Sequence, residues 1–574
     1  MAKTPLDFVN LSALPLSDLR KGRMGIALSG GGYRASAFHL GTLAYLDRVN
    51  LLPQLRMLST VSCGTFTGAK YVLSLTEKTP FGSFFKDFYS FMRDAKLIDW
   101  GLEDYSKGEV RVPSKQRKLI SSMANVYADT FLKSPDGTPY TFDKILDDET
   151  LHIEEIIFNA IEFRDGIAFR FQKSKSPSAP TGNEKVSIPK EAAKKIRVAD
   201  IVAASSCFPG GFEPMAFPID FAWPNNQVPP EVKKAINRNK PQEQDLPVNL
   251  QVIEDHPFDD TVIALMDGGI YDNQSIDSLL LANERKQTKD LDFFIISDVD
   301  PTKGSAFPYP VPEPTFVNLT LGQLDLLLRA FLVICFLTVV AVGYDLWREI
   351  TQGDFAFSHD FFSAVMPLIL VAFGTATVWY GRNLISNYLL PLIPQAGRDA
   401  WADLKTLRVN EFWYVMKLRI ESVLALTNGV FMDRIKALIF KDVYSNPQYK
   451  GKRISNRINR LLQEPFRSVK GIAAPSRSLR AIVKTAADMP TTLWFSPSEK
   501  TKQNQLDSLV IAGQATICFN LLQYIDRRYK KSSTNGSMID MADYPEIEAL
   551  WKALKDDWIK LNDNPYSLLD ERRL

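Results

Sequence analysis

Cysteine and histidine, the residues that build disulfide frameworks and most zinc sites, are scarce in this chain. Its 574 residues include only four of each, and Cys63, Cys207, Cys335 and Cys518 lie far apart. Widely separated cysteines argue against a disulfide scaffold and are typical of proteins from a reducing compartment. Because no cysteine and histidine spacing typical of zinc is present, we expect neither a bound metal nor a cofactor.

A strong net charge is also lacking. The 68 lysines and arginines nearly balance the 66 aspartates and glutamates, which gives a net charge of +2. This balance argues against a nucleic-acid partner. Before the first apolar strand pattern there is no run typical of a secretory signal, so we expect no cleaved signal peptide. The hydrophobic share of 45% is enough for a large core, divided among two or three structural units.

Long uncharged runs, by contrast, occur twice in the middle of the chain. Residues 330–344 and 361–381 contain no charge, and three leucines before Arg329 extend the first run toward the roughly 20 residues that a spanning helix needs. They predict a transmembrane helical hairpin, with a pair of buried core helices as the alternative. Residues 381–490 hold 19 lysines and arginines against 8 acidic residues, an excess typical of the cytoplasmic side. The acidic connection 345–360 would then lie on the far side.

The first third of the chain alternates strand and helix patterns. Met24–Leu28 and Leu55–Val61 are apolar runs typical of buried strands. Each is followed by apolar residues at helical spacing, in 35–49 and 64–75. This alternation predicts an α/β fold in which helices cover a mostly parallel sheet.

A glycine-rich loop directly follows the first predicted strand. The loop reads Ser-Gly-Gly-Gly-Tyr-Arg from Ser29 to Arg34. Backbone N–H groups at a helix N-terminus stabilise a developing oxyanion, and Gly30, Gly31 and Gly32 would supply them without an obstructing Cβ. Arg34 would add a fixed positive charge. A simple turn or a phosphate loop is the alternative, although no lysine–serine pair of the phosphate-binding type follows.

The second predicted strand ends at a serine. Ser62 lies between this strand and a helix, and a serine at such a sharp turn is exposed for nucleophilic attack. Small residues two positions either side allow the turn to form. Gly64 meets this requirement, whereas Thr60 stands where glycine is usual. Taken alone, the motif also fits a serine that caps a helix N-terminus.

An aspartate at the end of a third apolar run completes the set. Asp267 follows Thr261–Met266 and precedes two glycines, so its carboxylate would lie at a strand end beside a turn. A partly desolvated carboxylate at this position could act as the base for Ser62. An aspartate that only starts a turn is the alternative. The four histidines lie in patterns that favour packing or loop positions, so we favour a Ser–Asp dyad over a triad: His39, His152, His256 and His359.

These motifs, in this order, resemble the patatin-like phospholipases. The resemblance extends to 158–171 and 203–214 and covers roughly residues 22–300. It implies an α/β sandwich in which Ser62 is the nucleophile and Asp267 the base. It also implies an oxyanion hole of Gly30, Gly31, Gly32 and Arg34. Besides Thr60, the chain departs from the family pattern at Ser275, where proline is usual. The stretch 489–513 is similar to the tail of larger bacterial patatin-like proteins.

The sequence therefore predicts three parts: a patatin-like catalytic domain in 1–320, the transmembrane hairpin in 321–390 and a helical C-terminal region in 391–574. Residues 76–195 look less regular, and 225–247 is predicted as a loop. We expect a serine acyl hydrolase of phospholipids or related acyl lipids, of phospholipase A or lysophospholipase type. It would be embedded in a bacterial cytoplasmic membrane with its soluble parts in the cytoplasm. The alternative is a catalytically weak membrane protein that binds lipid or a partner. Whether the protein forms a homo-oligomer stays open.

Overall fold

The structure is a computed structural model that describes most of the chain. The described residues are 19, 21–107, 118–237, 261–285, 290–299, 319–352, 360–384, 432–492, 499–529 and 545–573, with isolated positions between 408 and 426. They belong to two compact units. The first combines residues 1–304 with 432–574, and the second is 305–431.

A ten-stranded sheet forms the centre of the first unit. Its strands are β1 (Met24–Leu28), β2 (Leu55–Val61), β3 (Glu155–Glu162), β4 (Ile167–Lys173), β5 (Thr181–Gly182), β6 (Ser187–Ile188), β7 (Met215–Phe217), β8 (Ile263–Asp267), β9 (Phe293–Asp298) and β10 (Arg453–Arg457). The order is β10-β9-β1-β2-β3-β4-β5-β6, with β8 paired to β3 and β7 to β8. The pairs from β10 to β3 are parallel, and those beyond β3 are antiparallel.

Helices of the first unit cover both faces of this sheet, and further helices form the second unit. Before β8 they are α1 (Tyr33–Arg48), α2 (Cys63–Thr76), α3 (Phe81–Asp94), α4 (Leu97–Lys107), α5 (Leu119–Asp129), α6 (Asp143–Leu146), α7 (Lys190–Ala193), α8 (Val198–Ser205) and α9 (Pro230–Asn237). Next come α10 (Gly269–Asp272), α11 (Ile276–Asn283), and in the second unit α12 (Leu321–Gln352) and α13 (Asp360–Leu384). The first unit then continues with α14 (Met432–Ser445), α15 (Pro447–Lys450), α16 (Arg477–Asp488), α17 (Glu499–Tyr529), α18 (Pro545–Asp563) and α19 (Ser567–Arg573).

The parallel half of the sheet explains where the glycine loop and Ser62 meet. β1 is buried along its whole length, as expected of a central strand covered by helices on both faces. The carboxyl ends of parallel strands lie at one edge, which brings the residues after β1, β2 and β9 together. The predicted strands Met24–Leu28 and Leu55–Val61 are confirmed, and so is the α/β fold with a mostly parallel central sheet.

Two sequence interpretations were wrong. The segment 76–195 was expected to be less regular, but it contains α3, α4 and α5, whose aromatic and apolar residues pack into the core. The segment 225–247 was expected to be a loop, but its described part contains α9, in which Val232 and Ile236 are buried four residues apart. In both segments the helical spacing is present in the residues themselves, since the buried side chains recur every three or four residues on one face of α3 and of α9.

Helices α1 and α17, more than 450 residues apart in sequence, pack at unusually close range. A Cβ at Gly41 would overlap the carbonyl of Val510, and a Cβ at Gly513 would overlap the carbonyl of Phe38. The two glycines therefore allow backbone-to-backbone contact between the helices. Since α1 begins at the glycine loop, α17 supports the helix that carries the candidate site.

We expect Gly41→Ala to destabilise the first unit, because the added methyl group meets backbone atoms that cannot rotate away. Overpacking of this kind costs about 1–3 kcal/mol, which would lower the Tm of the purified protein. Gly82→Ala is the matched control: this glycine lies in α3 with no atom within 4 Å of an added Cβ, so the exchange should be neutral or stabilising. Equal Tm values for Gly41→Ala and wild type would contradict the close packing of α1 and α17.

The second unit contains two apolar helices that pack on each other. A Cβ at Gly374 of α13 would lie 2.9 Å from the ring of Phe331 in α12. The segment Gly322–Gln352 is long and apolar enough to cross a membrane, with a mean hydropathy of 2.6 and only 6% of its most apolar window buried. Gln503–Arg528 passes the same test but is 94% buried, as a core helix is. The exposed apolar surface of α12 suggests association with a membrane.

The connection between the apolar helices is shorter than predicted. It was expected to span 345–360, but α12 continues to Gln352. Asp345 and Arg348 therefore belong to the last turns of that helix rather than to a loop.

Candidate active site

Ser62 occupies a tight turn between β2 and α2. Its backbone has φ 53° and ψ −134°, a left-handed conformation that is rare for residues other than glycine and that clusters at functional sites. A Cβ at Gly64 would lie 2.6 Å from the carbonyl oxygen of Ser29 and 2.7 Å from that of Leu28. The turn thus requires a glycine two residues after the serine, as the sequence motif predicted.

The structure brings Ser62 and Asp267 into direct contact. The Ser62 hydroxyl donates a hydrogen bond of 2.6 Å to Oδ2 of Asp267, across 205 residues of sequence. The other carboxylate oxygen, Oδ1, accepts the N–H of Gly269 at 2.7 Å. The backbone N–H of Asp267 donates to the carbonyl of Cys207 at 2.9 Å. These bonds fix the carboxylate with one oxygen directed at the serine.

Burial changes the acidity of the groups around this contact. Ser62 and Asp267 are 7% and 6% exposed. Desolvation raises the pKa of Asp267 to about 6, while the hydrogen bonds from Ser62 and Gly269 act in the opposite direction. Burial and the nearby Asp267 carboxylate raise the pKa of the Cys63 thiol, which keeps it protonated at neutral pH. Asp267 is therefore ionised at neutral pH yet basic enough to accept a proton.

The glycine loop lies next to Ser62, and its three glycines differ in their bonding. A Cβ at Gly30 would lie 2.9 Å from Cβ of Ser62. The Gly30 amide donates to the carbonyl of Asn273 at 2.9 Å, so this donor is already engaged. Gly31 and Gly32 adopt φ values of 140° and 65°. Among the described residues, the amides of these two glycines have no hydrogen-bond partner. Of the three glycine amides predicted for the oxyanion hole, those of Gly31 and Gly32 can therefore donate to an oxyanion.

Arg34 lies against the segment that precedes α17. Its guanidinium donates to the carbonyl of Met489 at 2.6 Å and to the hydroxyl of Thr491 at 3.2 Å. In the same region the N–H of Tyr33 donates to the carbonyl of Thr492 at 3.1 Å. These bonds tie the start of α1, and with it the glycine loop, to the C-terminal part of the first unit. The sequence predicted Arg34 as a fixed positive charge of the oxyanion hole but did not predict these partners.

A chain of hydroxyl groups holds the serine turn and accommodates Thr60. The N–H of Ser62 donates to Oγ of Ser205 at 3.0 Å, and the Ser205 hydroxyl donates to the carbonyl of Asn159 at 2.6 Å. Oγ1 of Thr65 lies 2.9 Å from both the Ser205 and the Thr60 hydroxyl oxygens. Thr60 is thus part of the scaffold of the turn. Ser205 was missed as a site residue, although it falls in the stretch 203–214.

The second departure from the family pattern also has a local explanation. Ser275 has φ 53°, which proline, fixed near −65°, cannot adopt. Its hydroxyl donates to the carbonyl of Ser59 at 2.9 Å, which joins the start of α11 to β2 beside the site. Serine is therefore compatible with this turn, and the backbone geometry here excludes the usual residue.

The described histidines have other roles. His39 is buried, with Nδ1 2.9 Å from the Ser297 hydroxyl and Nε2 2.9 Å from the Ser29 carbonyl. Burial lowers the pKa of His39 to about 4, so the ring is neutral. His152 contacts the carbonyl of Leu52. His256 and His359 lie outside the described residues.

An open α/β sheet with a serine at a strand–helix turn, bonded to a buried aspartate, is typical of the serine hydrolases. Among the described residues, no group of three or more histidines, cysteines, aspartates and glutamates is arranged to hold a metal ion. The chain contains a patatin-like phospholipase domain, because the family model with the description Patatin-like phospholipase matches residues 26–280. The resemblance drawn from the sequence is thus confirmed for this domain, and it supports lipid acyl hydrolysis in general. No curated protein matches the chain.

Proposed function

We propose that the protein is a membrane-anchored serine hydrolase that cleaves ester bonds of phospholipids or related acyl lipids. The observation that carries this proposal is the 2.6 Å hydrogen bond from Ser62 Oγ to Asp267 Oδ2 at a strained strand–helix turn. A Ser–Asp dyad fits this contact, and the described histidines have other partners. In this proposal Ser62 is the nucleophile and Asp267 the general base.

The reaction follows from these positions. Asp267 accepts the Ser62 proton as Oγ forms a bond to the ester carbonyl carbon. The negative charge that develops on the carbonyl oxygen is stabilised by the amides of Gly31 and Gly32. Asp267 then gives the proton to the departing alcohol as the ester C–O bond breaks. Water attacks the acyl-serine with its proton passing to Asp267, and collapse returns that proton to Ser62 and releases the fatty acid.

In this proposal the second unit anchors the enzyme in the lipid phase that holds its substrate. The 32-residue α12 and the 25-residue α13 are long enough to cross a bilayer, and α12 exposes most of its apolar side chains. The excess of basic residues after residue 381 favours a cytoplasmic location for the first unit. Phospholipids, lysophospholipids and acylglycerols all present the required ester.

Labelling with a fluorophosphonate probe tests the proposed chemistry. We expect the probe to label the wild type and not Ser62→Ala. The labelling rate should fall about tenfold for each pH unit below about 6, because protonation removes the base when the pKa of Asp267 is about 6.

Ser74→Ala is the matched control, since this buried serine lies at the far end of α2 and donates to the carbonyl of Tyr71. Labelling of Ser62→Ala at the wild-type rate would exclude Ser62 as the nucleophile. A folded wild type that does not react at all would favour the alternative, a lipid-binding protein with little activity.

The proposed anchor predicts which residues an impermeant thiol reagent can reach in intact cells. The four native cysteines are buried, so introduced cysteines report without interference. A cysteine at position 358, between the two apolar helices, should react from outside, whereas one at the exposed Ser478 of α16 should react only after permeabilisation. Alkaline carbonate should leave the protein in the membrane fraction. Release by carbonate, with equal protection of both positions, would show that α12 and α13 belong to a soluble protein.

A further inference from the structure

Ser29, the first residue of the glycine loop, has no part in the reaction described above, yet its polar groups all form hydrogen bonds. It is fully buried, and its backbone N–H donates to the carbonyl of Ser297 at 3.0 Å. Its hydroxyl donates to the carbonyl of Gly30 at 2.9 Å and accepts the N–H of Val299 at 3.3 Å. A carbonyl oxygen only accepts and a backbone N–H only donates, so the direction of both hydroxyl bonds is fixed. The Ser29 side chain therefore joins the loop to the residue that follows β9.

The bond from Ser29 determines the orientation of the next peptide unit. The carbonyl of Gly30 and the N–H of Gly31 belong to the same planar unit, and in a trans peptide they point in opposite directions. With its oxygen held by the Ser29 hydroxyl, this unit directs the Gly31 N–H away from Ser29. The Gly31 amide is one of the two that can donate to an oxyanion.

The glycines of the loop cannot fix this orientation themselves. Gly31 and Gly32 adopt φ values of 140° and 65°, and glycine has more conformational freedom than any other residue. Hydrogen-bond donors stabilise a developing charge effectively when they are oriented before the reaction begins. A group outside the three glycines must therefore hold the loop if it is to act as an oxyanion hole.

His39 holds the preceding peptide unit, between Ser29 and Gly30. Its Nε2 lies 2.9 Å from the carbonyl oxygen of Ser29, and because that oxygen only accepts, Nε2 carries the hydrogen. Burial lowers the pKa of His39 to about 4, so the ring is neutral at neutral pH and Nδ1 accepts the hydroxyl of Ser297 at 2.9 Å. The Gly30 N–H, in the same unit, donates to the carbonyl of Asn273 at 2.9 Å. Both polar groups of this unit are therefore fixed.

We infer that Ser29 and His39 are positioning residues for ester hydrolysis. The Ser29 hydroxyl orients the Gly31 N–H for the oxyanion that forms when Ser62 attacks, and His39 keeps Ser29 in place through its carbonyl. The inference rests on the proposed function, because this oxyanion forms only if Ser62 is the nucleophile. His39 thereby serves the reaction without acting as the base of a triad.

Kinetics of the full-length protein in neutral detergent micelles test the inference. An alkyl trifluoromethyl ketone probes the oxyanion hole, because its carbonyl carbon bonds reversibly to the Ser62 oxygen and its own oxygen becomes an oxyanion. We expect Ser29→Ala to lower kcat on a soluble ester about tenfold or more, with little change in KM. The inhibition constant of the ketone should rise by a similar factor, since the adduct resembles the transition state. Titration of active sites with the fluorophosphonate probe corrects kcat for unfolded protein.

A pair of variants tests His39. His39→Gln keeps a side-chain N–H that can donate to the Ser29 carbonyl, whereas His39→Leu is of similar size and has no donor. The glutamine variant should therefore retain more kcat than the leucine variant, and it should bind the ketone more tightly. Ser74→Ala also removes a buried hydroxyl that donates to a backbone carbonyl, and it should match the wild type in both quantities. The Tm of each variant checks folding, and Ser29→Ala alone is decisive if both histidine variants unfold.

The possible results separate this inference from the proposed function. If the fluorophosphonate labels the wild type and not Ser62→Ala, the hydrolase stands, and an unchanged kcat and inhibition constant in Ser29→Ala overturn the inference alone. A lower kcat in Ser29→Ala with an unchanged inhibition constant also overturns it, because the loss then does not arise at the oxyanion hole. If the wild type neither reacts with the probe nor hydrolyses esters, the proposed function fails and the inference fails with it.

Discussion

Replacement of Ser62 by alanine is expected to reduce ester hydrolysis by a factor on the order of 10³ or more, because no other group takes the place of the nucleophile. The loss should appear in kcat, while the protein keeps its fold. Ser62 donates its side-chain hydrogen bond to Asp267, and its backbone N–H, which bonds to Ser205, is unaffected by the exchange. Turnover of a short-chain ester by the purified variant, with its Tm as a check on folding, measures both quantities.

Asp267→Asn should cause a loss of similar size, since an amide cannot accept the serine proton. The double variant should be no worse than the poorer single variant, because the two residues act as one unit. A multiplicative loss in the double variant would mean that the residues act independently. Retained turnover in purified Ser62→Ala would remove the dyad altogether.

Gly31→Ala is expected to lower kcat by a factor on the order of 10² to 10³ with a smaller effect on KM, because it displaces the proposed oxyanion donors. Gly31 has φ 140°, which alanine rarely adopts, and its added Cβ would overlap Cγ2 of Val299. Both effects push the loop away from its position beside Ser62. Steady-state kinetics on a soluble ester separate kcat from KM.

The same position offers a rescue and a control. Val299→Ala in the Gly31→Ala background removes the overlapping methyl group and should restore part of kcat. Gly137→Ala introduces a similar backbone strain, at φ 87°, in a turn where an added Cβ has no neighbour within 4 Å. It should therefore leave kcat unchanged. A Gly31→Ala variant that changes only KM would instead assign the loop to substrate binding.

Local patterns in the sequence were sufficient to predict β1 and β2 and to propose Ser62 and Asp267, which the structure brings into contact, as candidate site residues. Both residues adjoin elements whose apolar character is visible in five to seven residues. The partners of Arg34 were not predictable in this way, because Met489 and Thr491 lie more than 450 residues further along the chain. No local pattern around Arg34 indicates that the first turn of α1 bonds to residues so distant in sequence.

β10 shows a different limit. Its five residues, Arg-Ile-Ser-Asn-Arg, are mostly polar, so the sequence gives no signal of a strand. The strand forms because its backbone pairs with β9 in parallel and because Ile454 and Asn456 turn inward on the same side. A hydrophobic pattern predicts a strand when the residues of the strand are themselves apolar. It gives no signal when pairing with a neighbouring strand determines the conformation, as for β10. The three-part division at residues 320 and 390 stays a prediction.

The first unit is completed by residues that follow the second unit in sequence, and this determines the order in which its parts can fold. β9 ends at Asp298, yet β10 and α17, which cover that edge and the back of α1, are made only after residue 450. Both apolar helices therefore leave the ribosome while the core of the first unit is still open. A chain that stops at the end of the matched family region would expose α1 where Gly41 meets α17 and would lack the support of the glycine loop. If the protein has the proposed activity and anchor, a competent hydrolase forms only after both apolar helices have been synthesised.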